Sequence, residues 1–309
     1  MSIKRIPAYA AIYLLWGGAY LAVRILVREF PPFLVAGLRY CLAAVCLAPI
    51  VLAQRAPAPS WRQSINAMWT GVLMLGAGYG VVFWAEQRLP SWLVAVLVST
   101  SFLWTYLGEC FLLRGYRFRA VMLAPLLAGL AGMPLLVQGG GYRGTVSILS
   151  AFAVLAGALC WAAGSLALKS IDMPRSPTHA AGIQLAAAGV ILLGLSGGLG
   201  EWSNAPALAR FFAWQPLVAM VYLVVGASIL AFVAFHWLLK REPASLVATS
   251  MYVNPMVAMI LGIVAAHERS SPLQLAGAMA VLASVVAIWR MQGTGNRFEA
   301  IALREMPEP

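Results

Sequence analysis

Ten long apolar runs divide this chain, and they constrain its fold more than any other feature. A membrane-spanning helix needs about 20 mostly apolar residues, and Pro, Gly and Arg residues separate runs of about that length. The runs cover residues 7–26, 33–52, 68–87, 91–113, 120–138, 146–168, 178–198, 216–238, 245–266 and 273–289. They lack the alternation of barrel strands, and within lipid each backbone must pair its own polar groups. The sequence therefore predicts an all-α membrane protein with ten transmembrane helices.

The overall composition supports a protein with several membrane spans. Apolar residues make up 62% of the chain and charged residues 10%, whereas soluble domains have roughly 45–50% and about 25%. The N-terminal MSIKR leads into the first long apolar run with no small-residue cleavage site after a short core. We therefore expect the first span to be retained and not removed as a signal peptide.

Basic residues are distributed unequally between the two sides of the predicted membrane. Of the 21 Lys and Arg residues, 14 fall in the tails and in the loops on the side of the tails, 6 fall in the opposite loops, and Arg39 lies within the second span. Because basic residues concentrate in cytoplasmic loops, both termini are predicted to be cytoplasmic. The net charge of +11 then faces anionic lipid, and no nucleic-acid partner is expected.

The two halves of the chain share a sequence pattern. A shift of 145 residues aligns YLLWGGAYLAVRI, which contains Trp16, with ALCWAAGSLALKS, which contains Trp161, and a shift of 153 aligns Trp84 with Trp237. Each half holds five spans, and because five is odd the second half must run inverted relative to the first. The predicted organisation is a first five-helix repeat (1–138), a Gly-rich connection (139–144), a second, inverted repeat (145–290) and a cytoplasmic tail (291–309).

The sequence carries no motif of an enzyme or of a metal site. It has no Walker loop, no Gly-x-Ser-x-Gly and no HExxH. The three histidines are too scattered to bind a metal together, and the four cysteines fall in predicted spans, where they serve as small apolar packing residues. We therefore expect no catalysis, no cofactor and no metal.

The repeat pattern resembles a known family of transporters. A Trp-Gly or Trp-Ala lies near the middle of the first span of each half, and Pro-x-x-Leu-Val-Ala opens the fourth and ninth spans. These features resemble the EamA-type members of the drug/metabolite transporter superfamily over residues 7–290, and within it the bacterial aromatic amino-acid exporters. The resemblance implies multi-pass insertion in a bacterial inner membrane and export to the periplasm. It also implies a central cavity lined by the first, third, fourth, sixth, eighth and ninth spans.

The candidate substrate-binding residues are polar or aromatic and lie near the predicted middle of those spans. They are Trp16, Tyr79, Phe83, Trp84, Ser99, Ser101, Trp104, Trp161, Tyr252, Asn254 and Pro255. For a zwitterion, the amide of Asn254 and the carbonyl that Pro255 frees from its helical bond would hold the two charged groups, and the rings would hold the side chain. The alternatives are serine hydroxyls that bond to their own helix and rings that only pack the core.

Charged residues limit the classes of cargo. Glu86 and Glu109 lie toward the ends of their predicted spans, so no carboxylate is expected at mid-depth, where a lipophilic cation would need one. Uncharged or zwitterionic cargo fits best. Arg39 lies about 10 Å into the second span at a rise of about 1.5 Å per residue. It could snorkel to the outer surface, pair with Glu86, or steer a carboxylate.

These observations together predict an alternating-access exporter of amino acids, aromatic or otherwise bulky and apolar, with its site between inverted halves. The alternatives are an exporter of other small neutral metabolites, a passive channel-like facilitator, and a lipid-handling or scaffold protein. The expected partners are a small-molecule substrate and the lipid bilayer, and the expected assembly is a monomer.

Overall fold

The computed structural model describes residues 5–89, 91–113, 118–137, 147–203, 208–266 and 271–304. All regular structure in these ranges is helical, which confirms the predicted class. The long helices are α1 (Ile6–Val27), α2 (Pro32–Ala53), α3 (Trp61–Ala85), α4 (Ser91–Ser99 and Ser101–Phe111), α5 (Leu123–Val137), α6 (Ile148–Ser170), α7 (Pro177–Gly198), α8 (Trp214–Leu239), α9 (Ala244–Ala248 and Ser250–Ala266) and α10 (Pro272–Arg304). Short 3-10 turns, Ala120–Met122 and Leu208–Phe212, precede α5 and α8.

Nine helices of the described ranges are long and apolar enough to cross a membrane. The fifth predicted span, 120–138, is helical over Ala120–Met122 and Leu123–Val137, and its uninterrupted apolar stretch within the described residues is Ala120–Gly132. The third begins earlier than predicted, at Trp61, because Ser60 and Gln63 form a reciprocal cap around a polar first turn. The backbone of α10 is helical to Arg304, whereas the tenth predicted span ends at residue 289. The apolar runs therefore located the helices, while at Trp61 a capped polar turn determined where the helix begins.

Two helices of each half are irregular at corresponding places. A π-helical segment interrupts α3 at Val72–Tyr79, and another interrupts α8 at Tyr222–Leu230. The two breaks, in α4 and α9, fall at threonines: the hydroxyl of Thr100 donates to the Leu97 carbonyl at 2.6 Å, and that of Thr249 donates to the Leu246 carbonyl at 2.6 Å. Mid-helix π segments often mark functional sites, and α3 and α8 both reach the cavity described below.

The packing of the first five helices is repeated by the last five. Helix α2 packs against α7, and α5 packs against α10. Helix α1 lies against α8 and α9, just as α6 lies against α3 and α4. The Trp and Arg residues that the repeat aligns also make the same contact in each half. The guanidinium carbon of Arg88 lies 4.4 Å from the ring centre of Trp84, and that of Arg241 lies 4.2 Å from the ring centre of Trp237. Each helix therefore meets the same kind of neighbour in both groups of five.

Glycines allow close helix crossings at both related midpoints. A Cβ atom on Gly17, beside Trp16, would lie 2.5 Å from the Cβ of Val257 on α9. A Cβ atom on Gly157, one turn before Trp161, would lie 2.7 Å from the carbonyl oxygen of Gly78 on α3. Real Cβ atoms essentially never come this close to another atom. The small residues beside the two tryptophans therefore set the approach of α1 to α9 and of α6 to α3.

The Gly157→Ala substitution should destabilise the protein measurably. Its new methyl group meets a backbone carbonyl that no side-chain rotation can move, so α3 and α6 must separate, and overpacking of this kind costs about 1–3 kcal/mol. The Gly182→Ala variant is the control, because its Cβ would lie 3.7 Å from Leu47 in ordinary contact. Thermal unfolding in detergent micelles should show a lower midpoint for the first variant only. Equal midpoints would show that the crossing adjusts freely.

Candidate functional site

A cavity lies where α1, α2, α3, α6, α7 and α8 converge, between the first five helices and the last five. Seven of its sixteen lining residues are aromatic: Trp16, Tyr20, Tyr40, Tyr79, Phe83, Trp161 and Phe232. Its volume is about 30 Å³, room for about two water molecules. A bulky solute would have to separate these helices to enter, so the structure shows the cavity contracted.

Trp16 and Trp161, which the sequence repeat aligns, meet in the cavity wall. Their ring centroids are 5.5 Å apart in an edge-to-face arrangement, and Tyr79 meets Trp161 at 4.9 Å. The Trp16 indole N–H donates to the Ala227 carbonyl at 3.0 Å, within the π-helical segment of α8. Edge-to-face pairs are the favoured geometry of aromatic rings. The two halves thus form one aromatic surface, and a carbonyl of the second half orients Trp16.

Arg39 is buried in the same wall and does not snorkel. Only 6% of it is exposed, and its Nε donates to the Ser228 hydroxyl at 2.8 Å. The guanidinium carbon lies 5.1 Å from the ring centre of Tyr40 and 5.8 Å from that of Phe83. No ion pair within 4.0 Å joins Arg39 to Glu86, both of which the structure describes. Snorkelling and an ion pair with Glu86 are thus not seen here, and the third predicted role, steering a carboxylate, stays a prediction.

Glu86 follows the last residue of α3 and also lines the cavity. It is 8% exposed, and neither carboxylate oxygen has a hydrogen-bond partner among the described residues. The position of Glu86 at a span end predicted that it lies apart from the site. The structure corrects that expectation, because the cavity extends away from the α1 N-terminus as far as the end of α3.

Four of the predicted site residues line this cavity: Trp16, Tyr79, Phe83 and Trp161. Trp84, next in sequence to Phe83, packs instead under Arg88 at the end of α3. The sequence reasoning missed Tyr20, Arg39, Glu86, Ser228 and Phe232 as lining residues. The isolated Arg39 in an apolar span was the feature of the sequence that could have predicted a polar part of the cavity wall.

The candidates on α4 lie away from the cavity. The Ser99 hydroxyl donates to the Val96 carbonyl of its own helix at 2.6 Å, which is the structural alternative raised for the serines. Ser101 is buried, and its hydroxyl has no partner among the described residues. Trp104 is 38% exposed. The lining therefore includes residues of α2 and α7, which the family resemblance did not imply, and none from the described parts of α4 and α9.

The candidates on α9 pack between helices. Tyr252 is fully buried, donates its hydroxyl to the Leu126 carbonyl at 2.7 Å and meets Phe102 at 4.7 Å. Asn254 is fully buried, and neither amide atom has a partner among the described residues. It lies at the α1 crossing beside Gly17, where its own backbone carbonyl approaches. Pro255 continues the same buried surface.

Polar contacts close the face of the protein on which α1 begins. We call this set the terminus-side seal: Tyr13 with Thr249 at 2.7 Å, Glu109 with the amides of Ala244 and Ser245 at 2.6 and 3.0 Å, Lys169 with Glu109 at 3.6 Å, and Arg5 with Glu242. Most of these contacts join α1, α4 or the segment before α1 to the start of α9. On this face the two groups of five helices are therefore held together above the contracted cavity.

Comparisons with known proteins agree with this architecture. The EamA-like transporter family model matches residues 6–138 and 148–290. The Escherichia coli K12 protein "Uncharacterized inner membrane transporter YedA" is 34% identical over 284 residues, covering 91% of this chain and 89% of that protein. Protein PecM of Dickeya dadantii is 24% identical over 292 residues, with 93% and 92% covered.

Two further matches bear on substrate and fold. A "Probable terminal-alkyne amino-acid exporter" of Streptantibioticus cattleyicolor is 25% identical over 303 residues, covering 96% of this chain and 97% of that protein. A solved structure titled "Crystal structure of protein" superposes with a TM-score of 0.73 at 22% identity, covering 91% of this chain and 95% of that one, and so shares the fold. The family model matches both groups of five helices, which meet at the aromatic cavity. The chain therefore belongs to the EamA-like transporter family.

Proposed function

We propose that this protein exports amino acids with aromatic or otherwise bulky apolar side chains across the bacterial inner membrane by alternating access. The observation that carries the proposal is the cavity between the two groups of five helices, whose wall combines aromatic rings with the buried guanidinium of Arg39. Rings suit an apolar side chain, and a guanidinium suits a carboxylate. The relative from Streptantibioticus cattleyicolor, whose name describes a probable exporter of terminal-alkyne amino acids, supports amino acids as the substrate class.

The direction of transport rests on the orientation of the chain. The excess of Lys and Arg on the side of the tails favours cytoplasmic termini, so the terminus-side seal closes the cytoplasmic entrance. If the last five helices are inverted relative to the first five, an arrangement in which the two groups exchange conformations opens that entrance and closes the other, which is the principle of inverted-repeat transporters. The substrate would then enter from the cytoplasm when the contacts of Glu109 and Tyr13 with α9 separate.

Counterflow in proteoliposomes tests this function. Vesicles preloaded with phenylalanine should take up labelled phenylalanine with saturation, and uptake should be reduced by tyrosine, tryptophan and leucine far more than by glycine or glutamate. Protein-free vesicles are the control. A flux that does not saturate would identify a passive facilitator instead. Absence of flux with every amino acid would contradict amino-acid export.

A further inference from the structure

An arginine and a glutamate share the small cavity without pairing with each other. Arg39 on α2 and Glu86 after α3 both line it, yet they form no ion pair within 4.0 Å in the part of the chain that the structure describes. Phe83 is a neighbour of both: it precedes Glu86 by three residues, which places the two on one face of the helix, and its ring centre lies 5.8 Å from the guanidinium carbon of Arg39.

The guanidinium of Arg39 is held by one hydrogen bond and has further N–H donors. A guanidinium has five N–H donors, and the bond from Nε to Ser228 uses one of them. Ser228 belongs to the π-helical segment of α8, next to Ala227, whose carbonyl orients Trp16. One short segment of the second half therefore positions both the cation and the aromatic ring.

The carboxyl group of Glu86 is buried, and neither of its oxygens has a hydrogen-bond donor among the described residues. Arg24, on the last turn of α1, acts on it electrostatically. Burying a carboxylate without donors is costly, and such groups inside membrane proteins commonly mark ligand pathways. An ammonium group entering the cavity would supply both the opposite charge and the missing donors.

We propose that Arg39 and Glu86 are the two charged subsites of a zwitterion clamp, and this inference rests on the proposed function. The guanidinium of Arg39 binds the α-carboxylate of the amino acid, and the carboxylate of Glu86 binds its α-ammonium. The substrate side chain lies against Trp16 and Trp161. The clamp makes the cavity selective for free amino acids over carboxylic acids and amines that carry the same ring.

The selectivity follows from the cost of unpaired buried charge. A ligand without an ammonium leaves Glu86 unsatisfied, and a ligand without a carboxylate leaves the spare donors of Arg39 unsatisfied. Sites built around buried polar groups reject analogues that lack the matching group, by as much as about 10⁴-fold. We expect at least about 100-fold weaker binding of each analogue here.

The test compares three ligands that share a phenyl ring on a short chain: phenylalanine, 3-phenylpropionate and phenethylamine. Each competes with labelled phenylalanine for the purified protein in proteoliposomes. Wild type should prefer phenylalanine over both analogues. Glu86→Gln should lose most of the preference over 3-phenylpropionate, and Arg39→Gln should lose most of the preference over phenethylamine. Glu29→Gln, at an exposed carboxylate near the same end of the protein, should keep both.

The outcomes separate the clamp from the proposed function. If wild type binds either analogue as tightly as phenylalanine, or if Glu86→Gln keeps its full preference over 3-phenylpropionate, the clamp is wrong while amino-acid transport stands. If wild type binds none of the three ligands, the proposed function fails and the clamp with it. Should Arg39→Gln not fold, Ser228→Ala retains the guanidinium but frees its Nε, and it should weaken the preference over phenethylamine in the same direction.

Discussion

The Glu109→Ala substitution should lower the free energy of unfolding by about 3–5 kcal/mol, the cost of removing one partner of a buried ion pair. The Glu109 carboxylate is 2% exposed. It accepts hydrogen bonds from the amides of Ala244 and Ser245 and from the Ser245 hydroxyl, at 2.6, 3.0 and 2.5 Å. Lys169 lies 3.6 Å away. Alanine removes the acceptor of these three hydrogen bonds and the negative charge opposite Lys169, which still donates to the Glu242 carbonyl at 2.6 Å.

The position of these donors explains why a carboxylate is required. Ala244 and Ser245 begin the first short piece of α9, directly after Pro243, and the first amides of a helix have no partner within it. A negative charge at this end also interacts favourably with the helix dipole. Glu109 lies on α4 and Lys169 on α6, so one side chain joins three helices of the terminus-side seal.

Graded variants can separate the charge from the hydrogen bonds. Glu109→Gln keeps one acceptor oxygen and should lose less stability than alanine, while Ser245→Ala removes one hydroxyl and should cost about 1–3 kcal/mol. Glu29→Gln, at an exposed carboxylate, should leave the unfolding midpoint unchanged. Chemical unfolding in detergent micelles, followed by tryptophan fluorescence, measures the series. A loss below about 1 kcal/mol for Glu109→Ala would show that water replaces the carboxylate and that the seal is weak.

The sequence predicted the helices of this fold because the membrane requires each span to be apolar and to pair its own backbone. The all-helical class and the transporter family were both predicted from the sequence, and both are confirmed. Helix ends were less predictable, as at Trp61, where a polar capped turn extends α3 before its apolar run begins. The π-helical segments had no signature in the apolar pattern, since they arise where neighbouring helices fit together.

The cavity lining was only partly predictable, because depth along a helix does not specify which way a side chain points. Trp104 and Trp161 have comparable predicted depths, yet the first is 38% exposed and the second lies in the cavity wall. Tyr252 is deep but packs against α5. Glu86 lies at a span end but reaches the lining. These directions depend on contacts between segments far apart in the chain, and a single sequence does not reveal those contacts.

Trp161→Ala should reduce transport of phenylalanine by at least about tenfold for each folded molecule, equivalent to about 1.4 kcal/mol of lost interaction. The Trp161 ring meets Trp16, Tyr79 and Phe235 within 5.5 Å, and it is the central contact of the aromatic wall. Removing it takes away the surface against which a substrate ring would lie. It also removes the partner that keeps Trp16 edge-on.

The same substitution will cost stability, so the measurement must separate the two effects. Truncating a buried tryptophan loses about 3–5 kcal/mol, and the transport rate must therefore be divided by the folded fraction measured in the same vesicles. Trp104→Ala is the matched control, because Trp104 is a tryptophan of similar predicted depth that is 38% exposed. It should retain wild-type transport within about twofold, since an exposed ring contributes little to binding.

Trp161→Phe distinguishes substrate contact from core packing. Phenylalanine keeps an aromatic face at this position but has a smaller ring, so it restores part of the wall while leaving a gap beside Tyr79. If the ring contacts the substrate, this variant should transport phenylalanine better than Trp161→Ala and should favour the bulkier tryptophan as cargo relative to wild type. If folded Trp161→Ala transports at the wild-type rate, the pair of tryptophans only packs the core, and the substrate must follow a path that avoids this cavity.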